Sequence, residues 1–111
     1  MTSNLRLVSS LVLALAAAPA LAKGDAEIGK QLVYTCSGCH GIPGYKNVYP
    51  HYHVPKIGGQ NYEYLIAALT AYQKGERKHP TMRAQAESFS AQDIDHIATY
   101  LSSLGAEGAS K

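Results

Sequence analysis

The chain has two cysteines, and they stand three positions apart in Cys36-Ser37-Gly38-Cys39-His40. Any sulfur chemistry must use this pair, so the backbone at residues 36–40 has to present two thiols close together with an imidazole directly behind. Three chemistries use such a spacing. A thiol–disulfide redox pair belongs at the start of a helix that follows a strand. Here the pair follows a helical stretch, and no βαβ pattern surrounds it. A closed zinc site needs four ligands, and Cys36, Cys39 and His40 with His51 or His53 would supply them. That site gives no role to the long segment that follows or to Met82. Covalent haem attachment adds two thiols to the two vinyl groups of the ring, and Cys-x-x-Cys-His is its signature.

The N-terminus bears on the choice. Arg6 and the amino terminus precede an uncharged apolar run, "LVSSLVLALAAA", which ends in Pro19-Ala20-Leu21-Ala22. This pattern fits a cleavable export signal over residues 1–22 and is too short for a comfortable membrane span. Export is also what covalent haem attachment requires. The expected mature chain, residues 23–111, is one domain of about ninety residues. A domain of that size is marginal on its own core and often needs a cofactor, metal or disulfide. A formal net charge of +2 on the full chain is too balanced to recruit nucleic acid.

Three helices are predicted. The first covers about 26–34, with Asp25 as N-cap and Ile28 and Leu32 on one face. Gly29 inside it points to a close approach by another element. The second covers about 62–74, with Tyr62, Leu65, Ile66, Leu69 and Tyr72 in one stripe and Gly75 as a left-handed cap. The third covers about 91–104. It opens on a Ser90/Asp93 capping box, buries Ile94, Ile97, Ala98, Leu101 and Leu104, and stops at Gly105. Residues 105–111 are expected to form a loose tail. No segment alternates as a strand would. The connection from Gly41 to Asn61, with "IPG" and "KIGG", is long enough to suggest that it wraps something.

A haem anchored at Cys36 and Cys39, with His40 on the iron, calls for a sixth ligand. Met82, in "HPTMRAQ" between the second and third helices, is expected in a loop. It lies among His79, Pro80 and Arg83, outside any apolar stripe, so it serves poorly as core filler. Its thioether is a soft ligand for iron. His51, His53, His79 and His96 are the rivals, with His96 read as a surface histidine. The free ring nitrogen of His40 needs a fixed acceptor, and the stiff backbone at Pro55 can present its carbonyl.

The ordered segments "CSGCHG", "PKIGGQNYEYL", "GERKHPTM" and "FSAQDIDHIATYLSSL" resemble a class I c-type cytochrome over essentially residues 24–104. The likeness is greatest to small monohaem periplasmic proteobacterial forms and to one half of the two-haem "c-four" type. The resemblance implies an all-α fold, the class I cytochrome c fold, with three main helices and long loops around one covalently attached haem c. It implies thioether links at Cys36 and Cys39, His40 and Met82 as axial iron ligands, and Pro55 as carbonyl partner of His40. It further implies crossed first and last helices, with Gly29 opposite Tyr100. The function implied is electron transfer in the periplasm, without catalysis. The partners would be redox proteins: a donor dehydrogenase or cytochrome complex and an acceptor oxidase or reductase, with no nucleic acid and no stable membrane span after signal cleavage. Two other haem roles stand beside it. One is a cytochrome subunit of a periplasmic dehydrogenase complex. The other is a sensor or peroxidase with an open iron site, which requires Met82 not to bind.

Overall fold

A computed structural model describes residues 23–42 and 54–108. The expected signal segment 1–22, His51 and His53 lie outside the described residues. Among the described residues the chain is all-helical: α1 Ala26–Leu32, α2 Tyr34–His40, α3 Tyr62–Lys74, α4 Pro80–Glu87 and α5 Ala91–Gly108. The all-α expectation holds, with α2 and α4 added to the three main helices.

The ends of the helices follow local chemistry. Asp25 caps α1, its carboxylate accepting from the amides of Glu27 and Ile28 at 2.8 and 3.2 Å. The Asn61 side chain caps α3 by accepting from Tyr64 at 2.9 Å. A Schellman arrangement ends α3: Gly75 lies at φ 73°, its amide bonded to Tyr72 and that of Glu76 to Ala71. At the start of α5, Ser90 and Asp93 cap one another reciprocally, at 2.8 Å (Ser90 N–H to the carboxylate) and 3.1 Å (Asp93 N–H to the hydroxyl). This is the expected capping box with Asp in the Glu position.

Three expectations need correction. The first helix does not run through to Tyr34. It breaks at Val33 (φ −76°, ψ 4°) and restarts as α2. The Val33 carbonyl then accepts from the amides of Cys36 and Ser37 at 2.9 and 3.1 Å and from the Ser37 hydroxyl at 3.1 Å. The cysteines therefore lie on a helix rather than after one. Met82 is not in a loop but in the first turn of α4, because His79 caps that helix and Pro80 occupies its first turn. Finally, α5 does not stop at Gly105; it runs to Gly108. Gly105 adopts no left-handed conformation. Its backbone packs on that of Gly59 instead, whose amide donates to the Leu101 carbonyl at 2.7 Å.

The core lies where α1 crosses α5. A Cβ on Gly29 would sit 2.0 Å from the His96 carbonyl oxygen and 2.8 Å from Tyr100 Cβ. Only glycine lets the two backbones meet, as its mid-helix position led one to expect. Val33, Leu65, Ile97, Ala98 and Leu101 form the buried cluster. Full burial of a Leu or Ile is worth about 1.5–3 kcal/mol. Polar bonds close the frame. His96, read as a surface residue, is half-buried, and its Nδ1 accepts from the Asp25 amide at 2.6 Å. The Tyr62 hydroxyl donates to Asp95, joining α3 to α5. The Asp95 carboxylate pushes the pKa of Tyr62 up.

Candidate functional site

The short helix α2 carries Cys36, Cys39 and His40. Helical spacing puts positions three and four apart on one face, so the two thiols lie on the same side of the turn. Cys36 packs partly buried against the core cluster, whereas Cys39 is exposed; both are free thiols. Burial pushes the Cys36 thiol pKa up, against a weaker opposing bond to Thr35. Its neutral thiol form is thereby favoured.

His40 is the buried polar residue of the described chain, with 7% of its surface exposed. Its Nδ1 lies 2.7 Å from the Pro55 carbonyl oxygen. A carbonyl can only accept, so Nδ1 carries a proton, and in the neutral ring the lone pair is on Nε2. That is the tautomer a histidine metal ligand needs, with its orientation fixed from behind. Gly41, at φ 62°, bonds back to the Ser37 carbonyl and turns the chain away directly after His40. The peptide carrying Pro55 is separated from His40 by residues 43–53, which lie outside the described residues.

Met82 is half-buried on the first turn of α4. Its amide donates to Nδ1 of His79 at 3.2 Å. The His79 ring meets Tyr72 edge-on, with centroids 6.3 Å apart. Tyr72 also carries the Arg77 guanidinium at 4.8 Å, and Arg77 donates to the Tyr64 hydroxyl at 3.2 Å. At the far end, Gln73 Nε2 donates to the Ala86 carbonyl at 2.8 Å and to the Phe89 carbonyl at 2.6 Å. Sequence reasoning weighed His79 only as a rival iron ligand and missed its capping role, and it missed Gln73 altogether. His-Pro at the head of eight residues without glycine is a helix-start signal and could have found the first. Among the described residues, no group of three or more His, Cys, Asp or Glu gathers where a metal ion could be held.

The profile of the cytochrome c family matches residues 26–105. The chain belongs to the cytochrome c family. It is 39% identical over 83 residues to cytochrome c-554(548) of Halomonas halodenitrificans, a match covering 72% of this chain and 96% of that protein. It is 35% identical over 91 residues to cytochrome c4 of Stutzerimonas stutzeri, covering 74% of this chain and 42% of that longer protein. It is 32% identical over 89 residues to the cytochrome subunit of sulfide dehydrogenase of Chlorobaculum tepidum, covering 80% of this chain and 77% of that subunit. The chain is thus a small c-type cytochrome of proteobacterial type, an electron-transfer haem protein with covalently attached haem c. Its residues fit that group: Cys36 and Cys39 match the Cys-x-x-Cys-His attachment motif, and His40 is a buried imidazole whose Nδ1 is held by the Pro55 carbonyl. Among the described residues no helix is long and apolar enough to cross a membrane.

Proposed function

We propose that the chain is a periplasmic electron carrier with one haem, in which His40 and Met82 are the axial ligands of the iron. Cys36 and Cys39 would hold the haem through thioethers, each thiol adding its S–H across one vinyl group with no leaving group. When bound, the haem supplies a one-electron Fe(III)/Fe(II) couple. The protein's own contribution is positional. Pro55 holds the His40 ring in one orientation and one tautomer, so the Nε2 lone pair is available in both oxidation states. Met82 brings a thioether, and Met/His ligation raises the reduction potential. The helical frame keeps water from the group and holds both ligands through the cycle. The observation that carries the reading is the 2.7 Å bond from buried His40 to the Pro55 carbonyl, directly behind the two cysteines. The uncharged run and Pro19-Ala20-Leu21-Ala22 support export.

The test is optical. The protein is produced in a host able to attach haem. The ferric spectrum of the native protein is recorded first, and a separate portion is then extracted with acidified organic solvent under denaturing conditions to see whether the colour stays with the polypeptide. Colour that stays with the polypeptide, a low-spin spectrum and the weak far-red band of methionine-bound ferric iron are expected. A colourless polypeptide after extraction contradicts the thioether assignment. Retained colour without the band contradicts Met82 as ligand. A second reading makes the chain the cytochrome subunit of a dehydrogenase, and its likeness to the sulfide dehydrogenase subunit favours it. Co-purification with a flavoprotein at fixed stoichiometry from the native host would establish that role, and a lone small cytochrome would count against it.

A further inference from the structure

The segment α4 is an eight-residue helix with one buried residue, Ala86. A helix that short is marginal by itself, and a single buried alanine gives it little apolar anchorage. What the structure provides is a fastening at each end. At the N-terminal end, His79 Nδ1 takes the amide of Met82, one of the donors that an unfinished first turn leaves without a partner. The His79 and Tyr72 rings meet in a T-shaped contact. At the C-terminal end, the side-chain Nε2 of Gln73 donates to the carbonyl of Ala86 in the last turn and to that of Phe89 just past it. Tyr72 and Gln73 are consecutive residues of α3. From adjacent positions they reach opposite ends of α4, with Met82 in between.

We propose that His79 and Gln73 are positioning residues for Met82, clamping α4 against α3 so that the thioether stays in place. The inference rests on Met82 being an axial ligand. The clamp sets the fraction of molecules in which Met82 has let go. An added ligand that competes for the iron reads that fraction directly, because apparent affinity scales with the competent population.

The experiment is imidazole titration of the ferric holoprotein, followed by loss of the far-red band and, for Met82→Ala, by the shift of the main visible haem band. The His79→Ala variant is expected to bind imidazole roughly fivefold more tightly, the scale of one helix cap. The Gln73→Ala variant, which loses two hydrogen bonds, is expected to bind roughly tenfold more tightly. His79→Asn, which keeps a capping side chain, returns to within about twofold of the wild type. Asn61→Ala removes the N-cap of α3, at the opposite end of that helix from Tyr72 and Gln73, and is expected to leave imidazole affinity unchanged while lowering overall stability. The inference is overturned if His79→Ala and Gln73→Ala both stay within about twofold of wild type. It is equally overturned if Asn61→Ala tightens binding as much as they do, since the effect would then be global. Met82→Ala separates the two levels: no tightening there removes Met82 as ligand, while strong tightening there with silent clamp variants removes the clamp alone.

Discussion

The crossing of α1 on α5 and the docking of α4 on α3 are built by different means. At the crossing, backbone meets backbone, and the Gly29 hydrogen occupies space that no carbon can. Large aliphatic side chains close the rest, with Ile94, Ile97 and Leu101 buried to 2% or less. Against α3, the short helix α4 buries one alanine and is held by a histidine cap and by a side-chain amide that donates to two carbonyls. The first contact has one geometry or none. The second can loosen by steps. On the proposed ligation this divides the labour: the frame would fix where the haem sits, and the weaker contact would tune how firmly Met82 is held.

The largest effect separating the two regions is expected at Gly29. Gly29→Ala forces the crossing apart and costs about 3 kcal/mol or more of stability, measured by urea unfolding of the holoprotein. A loss under about 1 kcal/mol would show that the helices part easily and would erase the contrast. Gln73→Ala sharpens the comparison from the other side. It is expected to lower global stability by about 1 kcal/mol, while the far-red band disappears at lower urea than the helical circular dichroism. Coincident transitions would make α4 part of the frame.

Asp93 gives a smaller, pH-dependent effect at the start of α5. The Ser90 amide, and then the Ser90 hydroxyl, hold its carboxyl below the usual Asp range. Because the folded state binds this proton less readily than the unfolded state, the contribution is complete above the ordinary Asp pKa of about 3.9. It fades as the pH falls toward the lowered folded value. Acid unfolding of Asp93→Asn beside the wild type, from pH 5 to pH 2, is expected to show a shallower loss in the variant; parallel curves would contradict the assignment. The smallest effect belongs to the exposed Arg83–Glu87 pair on α4, at 2.6 Å. Arg83→Ala is expected to cost less than about 0.5 kcal/mol. A larger value would mean that α4 is held by its own surface charges.

Much of the frame was legible because it obeys strong local rules. Asp25, Gly75 and the Ser90/Asp93 box mark helix ends by well-defined chemistry, and the spacing of Ile94, Ile97, Ala98 and Leu101 marks the buried face of α5. A glycine inside an amphipathic helix announced the close approach at Gly29. The hydrogen bond from His40 to the Pro55 carbonyl was also anticipated, from what an oriented imidazole requires. What escaped were features that short-range pattern does not encode. The segment from Pro80 to Glu87 is polar, so it has no stripe to betray a helix, and its stability comes from α3. The break at Val33 has no proline or glycine to signal it. Gly105 looked like a terminator, yet close packing on Gly59 lets the helix continue past it. His96 looked exposed among polar neighbours, but its partner is the amide of Asp25, distant in sequence.

The central claim is that an iron bound to His40 on one side takes Met82 on the other. The far-red absorption of the ferric holoprotein, recorded for the wild type beside Met82→Ala at equal haem concentration, tests it most directly. The account predicts a weak far-red band in the wild type and none in the variant, with haem still covalently attached in both. A band that survives Met82→Ala, or that is missing from the wild type, would contradict it.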